Sequence, residues 1–128
     1  MAPERDMMKK IALIAVLAAP FGLAGTAALA EGLYAAIAFS PSTGLSGSGW
    51  NFDTDADAET EAASQCGVDD CYTAVVFQQC GAIAVGDGYG MGFAEGGSVD
   101  SAKDTALASC GEYTTNCQIT QSFCNEGF

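Results

Sequence analysis

Six cysteines, Cys66, Cys71, Cys80, Cys110, Cys117 and Cys124, are the residues of this 128-residue chain whose type and spacing could most readily do chemistry. Three chemistries compete for them: zinc ligation, thiol–disulfide exchange and structural cross-linking. Zinc knuckles favour two to four residues between cysteines, often with histidine; here the close pairs are C-x4-C and C-x6-C, and the chain holds no histidine. Exchange of the thioredoxin type needs C-x-x-C, and that motif is absent. Cross-linking remains. Six cysteines allow fifteen pairings. The spacing favours Cys66 with Cys71 and Cys110 with Cys117, each pair flanking a turn, and Cys80 with Cys124, tying the ends of two equivalent strands.

Carboxylates are the second reactive class. The run DTDADAETE, residues 53–61, puts Asp53, Asp55 and Asp57 at positions 1, 3 and 5 of a would-be calcium loop. Such a loop needs glycine at its sixth position and a bidentate glutamate at its twelfth. Ala58 and Ser64 stand there instead. The run therefore reads as an acidic first helical turn, favoured by the positive end of the helix dipole, with weak Ca²⁺ binding as the lesser alternative. Acids are so common that no pair stands out for glycosidase-type catalysis. The absence of histidine also removes Ser-His-Asp and Cys-His nucleophiles and imidazole bases. A non-enzymatic protein is expected, without cofactor or metal; a small hydrolase is the alternative.

The stretch CGAIAVGDGYGMGF, residues 80–93, carries five glycines and one aspartate, and a glycine-rich loop can cradle phosphate. A dinucleotide fingerprint, however, places glycines at i, i+2 and i+5 between a strand and a helix. Gly86, Gly88, Gly90 and Gly92 alternate at period two and run on into more strand. A hairpin is the better reading, with Gly44, Gly86 and Gly88 available for positive φ in its turn and in an earlier counterpart.

That counterpart exists because the chain repeats itself. AAIAF at 35–39 is answered by GAIAV at 81–85, and AASQCG at 62–67 by ALASCG at 106–111. Cys71 corresponds to Cys117, and Cys80 is matched to Cys124. Two units result, about residues 33–80 and 81–124, joined without a linker.

In each unit, short apolar runs (33–39, 82–85) read as buried strands. Trp50 with Phe52, and Met91 with Phe93, alternate as half-buried second strands. Thr54 and Ser98 stand as N-caps. After them Ala58, Ala62, Ala63 and Cys66, and Ala102, Ala106, Leu107 and Cys110, mark one helical face. Gly67 and Gly111 sit where a left-handed residue would end each helix. Third strands follow at 72–77 and 118–123. The predicted fold is α+β: two pseudo-symmetric β-β-α-β repeats, antiparallel sheet with alanine-faced helices packed on it, stapled by disulfides.

The motifs YAAIAFSPSTG, the tryptophan strand, the two alanine-rich helices ending in CG, and C-x3-VVF-x2-CGAIAVG together resemble the bacterial secreted family called domain of unknown function 4189. The likeness spans about residues 33–124. It implies a small exported protein and brings no catalytic residues, because the family has no agreed activity. This chain departs from usual members in its acidic helices, where arginines are common.

Export is also legible at the N-terminus. Lys9 and Lys10 precede the apolar run 11–19, and Ala28-Leu29-Ala30 supplies a small-residue cleavage site, the pattern of a secretory signal peptide. Residues 1–30 are expected to be removed, leaving a single domain, 31–128, in the periplasm or outside the cell, where thiols oxidise. The first thirty residues hold two acids and three of the four bases, so the mature chain keeps 14 acids and one base, Lys103. Such a surface repels phosphate backbones and anionic lipid, so neither nucleic acid nor membrane is an expected partner. A cationic protein or cell-wall component is. Binding or inhibition of such a partner is the expected function, with a structural envelope role as the alternative.

Overall fold

The computed structural model describes residues 32–128, so the expected signal peptide and its cleavage after Ala30 lie outside the described residues. The elements run β1 (Tyr34–Phe39), β2 (Ser46–Phe52), α1 (Asp55–Cys66), β3 (Tyr72–Phe77), β4 (Cys80–Val85), β5 (Met91–Gly96), α2 (Val99–Gly111) and β6 (Gln118–Cys124). This is β-β-α-β twice. Each repeat forms its own three-stranded antiparallel sheet, in the order β2-β1-β3 and β5-β4-β6.

The central strands explain the layering. In β1, Ala36 and Ala38 pack with Ala58, Ala62 and Cys66 of α1, while Ala35, Ile37 and Phe39 face the second sheet. In β4, Ala82 and Ala84 meet Ala102, Ala106 and Cys110 of α2, while Ile83 joins the middle cluster. Both faces of these strands are covered, which is why they read as continuous apolar runs rather than alternating ones. The layers stack as helix, sheet, sheet, helix. Phe39, Phe77, Ile37 and Ile83, all fully buried, fill the sheet–sheet layer, where burial of each stabilises by about 1.5 to 3 kcal/mol.

The outer layers work by close approach instead. A Cβ added at Gly47 would collide with the Cys66 amide nitrogen, and one at Gly92 with that of Cys110. The helix backbones therefore rest directly on β2 and β5. The N-caps form as the sequence indicates: Thr54 Oγ1 accepts from the Asp57 amide at 3.1 Å and Ser98 Oγ from the Ser101 amide at 3.1 Å.

Several local readings change. The buried helical stripe is i, i+4, i+8 only; Ala63 and Leu107 lie outward, because a fifth-residue step rotates past the narrow contact with the sheet. Gly67 is left-handed at φ 83°, but Gly111 closes the last turn of α2, and Glu112 caps it at φ −76°. In the second hairpin the positive φ values fall on Gly88 and Tyr89, not on Gly86, which is extended at φ −122°.

The third cross-link also sits differently. Sulfur atoms bond Cys66 to Cys71, Cys110 to Cys117, and Cys80 to Cys124. Cys80 opens β4 and stands directly opposite Cys124 on β6, so this bridge joins neighbouring strands of one repeat rather than the ends of equivalent strands. At the 46-residue offset of β1 to β4 and β3 to β6, Cys80 corresponds to Tyr34 and Cys124 to Gln78. The second unit begins at Cys80 itself.

Candidate functional site

Asp55 and Asp57 lie in the first turn of α1, where the Asp55 carboxylate accepts from the Ala56 amide at 2.7 Å. Among the described residues no group of three or more Cys, Asp or Glu side chains converges on a metal-sized site. The glycine-rich stretch is a hairpin. Its Asp87 accepts from Thr115 Oγ1 and Asn116 Nδ2, both at 2.9 Å, and so ties the turn to the loop before β6.

The first repeat has the same tie with the roles exchanged. Asp70, before β3, accepts from the buried Ser40 hydroxyl at 2.6 Å and from the Ser42 amide at 3.1 Å. These donors, Ser40 foremost, hold the Asp70 carboxyl below the usual carboxylate range. A hydroxyl beside a carboxylate suggests a nucleophile, but Ser40 Oγ also accepts from the Thr43 amide and hydroxyl at 3.2 and 2.8 Å. A buried hydroxyl spent on a turn, facing a weakened base, fixes loop geometry.

A groove of about 420 Å³ runs along β2. It arises because β2 is the edge of the first sheet and its first four residues, Ser46 to Gly49, carry almost no side-chain bulk. Gly47 and Gly49 let α1 settle onto the strand, and the Glu61 stem lies over Gly49. Glu61 and Gln65 of α1 form one wall, with Gln65 Nε2 donating to a Glu61 carboxylate oxygen at 2.8 Å. The other wall comes from the second repeat: Gln121 on β6 donates to Ser46 Oγ at 3.0 Å. Trp50 marks one end, half exposed and tilted 5.4 Å from Phe123.

Electrostatics give the groove one sign. All seven charged side chains of residues 32–79 are acids, and five of them, Asp53 to Glu61, precede or lie on α1 beside it. A second depression, of about 410 Å³, lies on the opposite side, where β5 and β3 meet, with Tyr34 and Glu95 in its lining. Only the first has a glycine–serine strand as its floor. Sequence reading missed this groove, since Gln121 lies 75 positions from its partner Ser46; the glycine–serine alternation beside a lone tryptophan was its only local sign.

Fold and cross-links define a disulfide-stapled α+β domain built from a duplicated β-β-α-β unit. The chain belongs to the family described as Domain of unknown function (DUF4189), which matches residues 34–124, from the first residue of β1 to the last of β6. It is similar to Rv1813c from Mycobacterium tuberculosis, solved by NMR, at 32% identity over 73% of this chain and 76% of that one, with a TM-score of 0.56. No curated protein matches the chain.

Proposed function

We propose that this protein is an exported, non-enzymatic binding or inhibitor-type module that takes a cationic protein or cell-wall component in the β2 groove. The observation that carries the reading is the pairing of an open strand edge with a wall of one charge. Edge strands are normally blunted by lysine, proline or a covering segment. Here residues 46–49 are only serine and glycine, with a depression beside them. Three disulfides fit an oxidising compartment. No described helix is long and apolar enough to cross a membrane. The finer location, periplasm or beyond after loss of residues 1–30, is part of the proposal; N-terminal sequencing of the exported protein should begin at Glu31.

The test is capture from envelope extract with the wild-type protein and with Trp50→Ala and Glu61→Gln variants side by side. A stoichiometric partner retained by wild type and lost by both variants supports the reading. Abundance without such a partner supports a structural envelope role instead. Turnover of peptidoglycan or peptides, abolished by one carboxylate substitution, would make it a hydrolase.

A further inference from the structure

Resting on that binding role, we infer that the free edge of β2 is a seat for strand addition by an extended, lysine- or arginine-bearing segment of another protein. In a sheet, an edge strand presents unpaired N–H and C=O groups that an incoming strand can satisfy, and alternate side chains of the newcomer then fall on opposite faces. The two faces available here differ. Side chains aligned with Gly47 and Gly49 lie beside Glu61 and Gln65; those aligned with Ser48 and Trp50 lie toward β6 and the exposed indole.

The seat has a defined end. The Asn51 amide is already donated to Asn125 at 2.8 Å, and the β1–β2 register shifts between Gly49 and Phe52. Pairing is confined to residues 46–50, about 17 Å of strand. The occupant follows from charge. A second copy, each mature chain carrying 14 acids against one base, is repelled at the same edge, whereas a basic segment is attracted and steered. The matching pattern is alternation: basic residues on the α1 face, apolar or arginine side chains on the Trp50 face, where an arginine can stack.

Trp50 is the chain's single tryptophan, so its fluorescence reports occupancy directly. The oxidised protein is titrated at about 0.15 M salt with an alternating lysine–valine octapeptide, with its isomers N-methylated on the lysine or the valine amides, and with a chitosan oligomer of equal charge. The parent peptide shifts the Trp50 emission. At least one methylated isomer and the chitosan bind at least about tenfold more weakly, because they lack the donors that pair with β2. Glu61→Gln weakens the parent about two- to fivefold.

If both methylated isomers, or the chitosan, bind as well as the parent, strand addition is wrong while the cationic-partner reading stands. If no cationic probe binds, both fall. A concentration-dependent dimer of the free protein that quenches Trp50 would assign the edge to a second copy and overturn the inference.

Discussion

Asn51 is bonded to Asn125 across the two repeats: its amide donates to Asn125 Oδ1 at 2.8 Å, and its own Oδ1 accepts from the amide of the next residue, Glu126, at 2.8 Å. Asn125 is buried and also donates through Nδ2 to the Phe77 and Gln78 carbonyls, at 3.3 and 3.0 Å. Its amide in turn donates to the Gln79 carbonyl at 2.9 Å. One side chain thus joins the end of β2, the short connection between the repeats, and the C-terminal segment. Asn125→Ala removes all three of these side-chain bonds. Urea unfolding should show a loss of about 2 to 4 kcal/mol.

The glycines separate steric need from conformational need. Gly47→Ala and Gly92→Ala drive a methyl into helix backbone that cannot give way, and each should destabilise by about 3 kcal/mol or more. Gly111 has open space and an ordinary helical φ, so Gly111→Ala should stabilise by about 0.5 to 1 kcal/mol. Gly88 has equal space but φ 65°, and Gly88→Ala should destabilise by about 1 kcal/mol. Thermal melts of the four variants give the ranking.

The cross-links should differ in weight. Cys80–Cys124 closes 44 residues, against 5 and 7 for the local pairs. In the loop-entropy account, replacing the long bridge by two alanines costs about 4 kcal/mol and replacing a short one about 2. Denaturant midpoints of the three double variants measure the order.

The Asp70 tie predicts a pH dependence. Its folded-state pKa is held below the ordinary value, chiefly by Ser40 and then by Ser42. The contribution is therefore fully present above the unfolded carboxylate range and is lost as pH falls through the folded pKa. Asp70→Asn should lower stability at neutral pH, converge with wild type under strong acid, and flatten the curve between. Urea midpoints from neutral pH into strong acid test this. Parallel curves would remove Asp70 from acid sensitivity.

What could be read locally was read from local signals. Thr54 and Ser98 are caps because a hydroxyl reaches an amide three residues on, and the alanine stripes follow one helical face. The errors arose where a motif was extended beyond its physical range. Gly111 looked like Gly67, yet α2 ends one residue later. Cys80 was matched to Cys124 by residue type, whereas strand register pairs them across one sheet. The Asn125 hub and the Gln121 wall of the β2 groove could not be read: each joins residues more than 45 positions apart that meet only once the two sheets face each other.

Backbone amide exchange followed by NMR, with and without the lysine–valine peptide, tests the central claim most directly. Alternate amides among residues 46–50 should exchange freely in the unbound protein and become protected when the peptide is present, with the Trp50 indole shifting in step. Saturating peptide that leaves those amides unprotected, or that protects β5 or β3 instead, would contradict the account.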